Sequence, residues 1–303
     1  MSHNLTIKAK ATKGTAFRTA MTVALAAILL APASQADEAI GLTEKGQGPA
    51  LIFIAGLNSG SDTFNETCEA FVPTHTCLLL DLPGFAGQAP VDVSQGFLAP
   101  MRDAVIVLLR DKQVSGATLV GHSLGGNIAM MVALEAPELA ERLVLVDSLP
   151  FYAAIQNPMA TAETMKPQAE MMRTQMNAQS DEAYFQGAVQ STAGMTRSPE
   201  RHAQLTAWTK ASDRATTTAA MIDMLTTDLR ADIADLKQPV LVLGSWAAYA
   251  QYGSTLESTR AVFTAQYAAA PNVDVRMSET GYHFLTWDDG AWVNTQIDGF
   301  LGK

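Results

Sequence analysis

Ala117-Thr118-Leu119-Val120-Gly121-His122-Ser123-Leu124-Gly125-Gly126, running on into a helical pattern over 127–135, is the stretch whose reading decides the fold. A short apolar, β-branched run ends in G-x-S-x-G, and a helical pattern follows at once. A serine at so tight a strand-to-helix turn sits in a strained conformation. Neighbours without side chains let the chain bend there, and the hydroxyl then stands clear of the sheet. Ser123 is therefore the candidate nucleophile. The next amide, that of Leu124, points from the helix N-terminus to where an oxyanion would form.

Working outward, short β-branched and leucine-rich runs recur at 50–55, 77–82, 117–121, 143–147, 240–244 and 273–277. Helical patterns fall between them, at 62–71, 95–112, 125–135, 255–269 and 291–301. This alternation predicts an α/β fold with a mostly parallel sheet covered by helices on both faces. One interval interrupts it. Residues 149–230 carry no convincing strand but hold helix-forming stretches with Met159, Met165, Met171, Met172, Met176, Met195, Met221 and Met224. They are expected to form a helical cap inserted after the strand that follows the nucleophile helix, with the core built from 37–148 and 231–303. Methionine at this density serves either as core filler or as a deformable lining for an acyl or alkyl group.

With the elbow in its strand–turn–helix context, the chain resembles the α/β-hydrolase superfamily over nearly all of its length after the first 36 residues. Ile54-Ala55-Gly56-Leu57-Asn58 falls after a core strand, where the family has His-Gly. The resemblance implies that Leu57, following the glycine, gives the second oxyanion-hole amide, although Ala55 replaces the family's histidine. Asp81-Leu82-Pro83-Gly84-Phe85-Ala86-Gly87 is similar to the family's glycine-bearing loop after the next strand. Gly281-Tyr282-His283-Phe284-Leu285 matches the loop that carries the family's catalytic histidine. Of the other histidines after residue 36, His122 lies inside the elbow, His75 precedes a strand at the wrong end of the sheet, and His202 falls in the cap. His283 is the expected general base.

The resemblance breaks at the acid. The family places it a few residues after the penultimate strand, often as Gly-x-x-Asp, but here that strand is followed by Ser245-Trp246-Ala247-Ala248-Tyr249-Ala250-Gln251-Tyr252. A second position in the superfamily, directly after the strand that follows the nucleophile helix, holds Asp147. Asp147 is thus the expected third member, its alternative being to cap the strand and hold the following loop. Glu257 lies within the next helical pattern, and Asp288 and Asp289 read as capping carboxylates for the last helix.

The 303 residues are 48% hydrophobic, enough to fill a substantial core and to exclude a disordered or fibrous chain. The first residues carry Lys8, Lys10, Lys13 and Arg18, an apolar run over 21–31, and small residues at Ser34 and Ala36. This pattern predicts a signal peptide over 1–36, export to the periplasm or cell exterior, and a mature chain starting at Asp37. About eleven apolar residues fall short of the ~20 needed to span a bilayer. Losing four basic residues and no acid would take the net charge from −10 to −14, which argues against nucleic acid or an anionic membrane as partner.

Cys68 and Cys77 are the only cysteines, and in an oxidising compartment a disulfide between them is expected, with two independent buried thiols as the alternative. Neither has the CxxC partner or clustered histidines of a metal site. The expected activity is hydrolysis of a carboxylic ester of a small-molecule acyl substrate through an acyl-serine, without metal or organic cofactor. A lactonase, amidase or aminopeptidase on the same scaffold, or a non-catalytic hydrolase-like binding protein, are the competing expectations, and the oligomeric state is left open.

Overall fold

Apolar runs too short for helices and bounded by turns build a seven-stranded sheet in the computed structural model, which describes residues 1–3 and 40–302. The expected export segment, whose basic and apolar stretches fall within 4–39, lies outside the described residues. The strands are β1 (Gly41–Gly46), β2 (Ala50–Ile54), β3 (Thr76–Asp81), β4 (Ala117–His122), β5 (Ala140–Val146), β6 (Val240–Gly244) and β7 (Val273–Met277). Their order across the sheet is β1-β3-β2-β4-β5-β6-β7. The edge strand β1 runs antiparallel to β3, and all other pairs are parallel.

Side chains alternate between two buried layers, as the two-residue period of a strand requires. Ile52, Ile54, Leu119, Leu143, Leu145 and Val242 face one layer, which includes Met101 and Val105 of α2 (Leu98–Asp111, following α1 at Asn65–Phe71) and Ile128 and Val132 of α3 (Leu124–Glu135). Leu51, Phe53, Val120, Val144, Val146 and Leu241 face the other, with Phe71 of α1 and the C-terminal residues Val293, Ile297 and Phe300. Each such side chain removed from water contributes about 1.5–3 kcal/mol. The parallel strands are buried on both faces, so they read as continuous apolar runs rather than as alternating ones.

Between β5 and β6 lie four helices, α4 (Ala162–Ala178), α5 (Asp181–Ser191), α6 (Pro199–Ala211) and α7 (Arg214–Thr226). The methionines of this insertion do not form one lining: Met224 is buried in the main core, whereas Met159 and Met171 are exposed. α7 ties the insertion to the sheet. Ala219, Ala220 and Met224 enter the core, and Asp223 accepts from the Phe97 and Leu98 amides at 2.6 and 2.9 Å. That carboxylate satisfies orphan amides at the start of α2, a cap supplied from another helix. After β6 come α8 (Leu256–Gln266), β7, the short α9 (Leu285–Asp288) and α10 (Gly290–Leu301).

Two expectations are corrected. Cys68 and Cys77 are free buried thiols, and the expected disulfide is absent. Cys68 faces the core from α1 and Cys77 from β3, and the Cys77 thiol donates to the Cys68 carbonyl across 3.6 Å. Burial raises the Cys77 pKa, suppressing its thiolate, so Cys77 behaves as a small apolar group. Asp288 and Asp289 do not cap α10 through their side chains. Asp289 accepts instead from Ser278 Oγ at 2.6 Å, and Asp288 turns toward the insertion as described below.

Candidate active site

Ser123 occupies the tight turn between β4 and α3 with φ 54° and ψ −122°, a conformation that costs a non-glycine residue on the order of 1–3 kcal/mol. The surroundings hold it there. Its amide donates to Val146 O at 3.0 Å, while its carbonyl accepts from the Gly126 amide at 2.9 Å and from Ser148 Oγ at 2.7 Å. Two glycines make the turn possible by close approach. A Cβ on Gly121 would stand 2.4 Å from Gly125 O, and one on Gly125 would stand 2.1 Å from Ile54 O. The bare Gly125 thus lets the end of β2 press against the start of α3.

That approach brings the loop after β2 over the serine. A Cβ on Gly56 would lie 3.1 Å from Ser123 Cβ. Leu57 follows directly, and neither its amide nor that of Leu124 has an acceptor among the described residues. Two N–H groups without acceptors, one in the loop beside the serine and one at a helix N-terminus, are the kind of donor an oxyanion site uses. Asn58, next in the loop, has φ 55° and accepts from Thr217 Oγ1 of α7 at 2.6 Å, so the insertion also braces this loop.

His283 lies in the loop between β7 and α9 and meets Asp147 at the end of β5. His283 Nδ1 and Asp147 Oδ2 are 2.6 Å apart. Since the carboxylate accepts, Nδ1 carries the proton and Nε2 is left with its lone pair. The Asp147 side chain is 8% exposed, and two further donors hold it, the Ser245 amide on Oδ1 at 2.8 Å and Ser245 Oγ on Oδ2 at 2.9 Å. Asp147 itself takes φ 44° and its amide donates to Leu243 O at 2.7 Å. The segment after β6, which lacks a carboxylate, therefore supplies the acid's hydrogen-bond donors instead.

The structure brings Ser123, Asp147 and His283 to the carboxyl ends of β4, β5 and β7, with the Leu57 loop alongside. Glu257 stays in the first turn of α8, away from this group, where its carboxyl is held below the usual range by its own backbone amide and Thr255. The Asp288 side chain is only 2% exposed and accepts from Thr196 Oγ1 at 2.7 Å, from the Arg197 amide at 3.0 Å and from the Tyr282 amide at 3.1 Å. Together with the Phe284 amide donating to Met195 O at 3.0 Å, this fastens residues 195–197 of the insertion to the His283 loop. Sequence reasoning missed Ser245 and the latch at Asp288. The only available signals were a serine where the acid is usually found and a carboxylate five residues past the histidine. No three His, Cys, Asp or Glu side chains among the described residues come together as a metal-binding group.

The arrangement has counterparts in known proteins. The structure is similar to that of the enol-lactonase from Burkholderia xenovorans LB400, with a TM-score of 0.70 and 15% sequence identity over 87% of this chain and 96% of that one. At that identity the likeness speaks for the fold alone. A stretch of 105 residues is 37% identical to the sn-1-specific diacylglycerol lipase ABHD11 of Xenopus laevis, covering 34% of this chain and 33% of the relative. Another of 109 residues is 33% identical to the pimeloyl-[acyl-carrier protein] methyl ester esterase of Vibrio campbellii, covering 36% of this chain and 41% of the relative. The match thus spans less than half the length of these relatives. The profile of the alpha/beta hydrolase family, by contrast, matches residues 51–296, which takes in the whole sheet from β2 onward, the elbow, Asp147 and His283. The chain belongs to the alpha/beta hydrolase family.

Proposed function

We propose that this hydrolase cleaves a carboxylic ester through an acyl-serine intermediate, with Ser123 as nucleophile, His283 as general base and Asp147 as the carboxylate that orients it. The observation that carries the reading is the 2.6 Å Asp147–His283 hydrogen bond one strand away from a serine held at φ 54°. It leaves the imidazole in the tautomer whose Nε2 accepts a proton. In the proposed reaction Ser123 Oγ attacks the ester carbonyl carbon and passes its proton to His283. The carbonyl oxygen becomes an oxyanion between the Leu57 and Leu124 amides, and its collapse expels the alcohol, which takes the proton from His283. Water, giving a proton to His283, then attacks the acyl carbon; collapse of this second oxyanion breaks the bond to Ser123 Oγ, which takes the proton back from His283, and the carboxylic acid leaves. No metal or organic cofactor enters these steps.

An ester substrate is favoured because both named relatives with 30% identity or more are, by name, ester hydrolases: a diacylglycerol lipase and a methyl ester esterase. Residues 1–36 support action after export, in the periplasm or outside the cell, with a mature N-terminus at Asp37. The test is a panel of p-nitrophenyl esters, lactones and peptide anilides on the mature protein, with Ser123→Ala as control. Turnover of esters above lactones and anilides, abolished in the variant, supports the reading. Turnover that survives Ser123→Ala refutes it.

A further inference from the structure

His122 is the last residue of β4, immediately before Ser123, and is 1% exposed. Its Nε2 lies 3.0 Å from the backbone carbonyl of His283, and its ring stands 4.6 Å from both the His283 and Phe284 rings, tilted 48° to each. A carbonyl can only accept, so Nε2 carries the proton and Nδ1 is bare. That Nδ1 is buried and has no hydrogen-bond partner among the described residues. Leaving such an acceptor unpaired costs about 1–3 kcal/mol, which a phenylalanine of similar shape would avoid. The imidazole is therefore better explained by what its one donor does than by packing.

We propose that His122 is a positioning residue for the general base: its Nε2–H clamps the His283 backbone carbonyl, and its ring sets the angle at which the His283 imidazole faces Ser123. This rests on the roles proposed for Ser123 and His283. The clamp complements the bond at Nδ1 of His283, so that Asp147 fixes the ring's tautomer while His122 fixes the main chain carrying it. Burial, with the His283 imidazole beside it, holds the His122 ring well below the usual histidine range, so the ring stays neutral. Neutrality matters to the role. A cation at this distance would disfavour the imidazolium that His283 must become and would compete for the Asp147 carboxylate that His283 meets at 2.6 Å.

The test compares His122→Phe, which keeps a ring but loses the donor, with His122→Gln, whose side-chain amide can donate to the same carbonyl. For a p-nitrophenyl ester, His122→Phe is expected to lower kcat about tenfold to a hundredfold, the scale of a misplaced catalytic group, with KM changed less than about twofold. His122→Gln should recover most of that loss. Equal kcat in wild type and His122→Phe, or a loss seen only in KM, overturns the proposal. A nitrogen NMR spectrum of the labelled wild-type protein tests it without any substitution. It should show His122 with a protonated Nε2 and a bare Nδ1 throughout pH 5.5–8, and a proton on Nδ1 or titration in that range overturns it. If wild type itself turns over no ester and takes no fluorophosphonate, the proposed function has failed. If wild type is active and His122→Phe matches it, only the role of His122 has.

Discussion

Replacing Asp147 by asparagine tests the acid with almost no change in shape, and the structure dictates how the new side chain must sit. The Ser245 amide donates to Oδ1 at 2.8 Å and can only donate, so the asparagine oxygen must occupy that place. The NH₂ group then faces His283 Nδ1, where the carboxylate oxygen stood at 2.6 Å. Nδ1 becomes the acceptor, the proton moves to Nε2, and the imidazole is held in the tautomer that cannot take the Ser123 proton. Ser245 Oγ, which donated to Oδ2 at 2.9 Å, loses its acceptor as well. The same change in a serine protease lowers turnover about 10⁴-fold, close to 5 kcal/mol of transition-state stabilisation, and a loss approaching that size is expected here. The assay is kcat on the best ester of the panel near pH 8, with circular dichroism confirming an unchanged fold. A kcat within tenfold of wild type refutes the tautomer argument. If Glu257→Gln is then the crippled variant, the acid has been misplaced.

Gly125→Ala should lower the stability measured by urea unfolding by about 3 kcal/mol or more, because its Cβ would meet Ile54 O at 2.1 Å and backbone must move. An unchanged unfolding midpoint would contradict this. Asp288→Ala strands the Thr196, Arg197 and Tyr282 donors and should cost roughly 3 kcal/mol while exposing residues 192–198 to protease; wild-type proteolysis rates would count against the latch. The depressed pKa of His122 gives a pH signature. Below about pH 6.5 the unfolded chain takes up a proton that the folded chain refuses, so the stability from this group is present above that pH and lost below it. Between pH 8 and 5 wild type should therefore lose stability relative to His122→Phe, by up to about 1.4 kcal/mol per pH unit, and parallel curves would argue against a neutral buried ring.

The sheet was legible because parallel strands buried on both faces announce themselves as apolar runs, and the elbow because its glycines are forced by contacts under 3 Å. β1 was not, since Gly41–Gly46 is an edge strand with half of its side chains turned to water, and its pairing with β3 supplies order that no hydrophobic pattern records. Within the candidate site, the meeting of Asp147 with His283 was legible from their places after strands, as was the tight turn at Ser123 from its glycines. The role of Ser245 depends on β6 lying next to β5, a register that sequence does not express. Asp288 shows the opposite failure: its position before the last helix favours a cap locally, but three donors from the insertion and the histidine loop outcompete it. Cys68 and Cys77 were expected to be joined, yet they are free thiols whose closeness serves packing, with the Cys77 thiol given to a carbonyl.

The proposed ester hydrolysis depends on Ser123 being an activated nucleophile. Reaction of the mature protein with a fluorophosphonate, followed by peptide mapping, tests it directly. One covalent adduct per chain is expected, on Ser123, with none formed by Ser123→Ala and slow labelling of Asp147→Asn. An unlabelled wild-type protein, or an adduct mapped to any other residue, would contradict it.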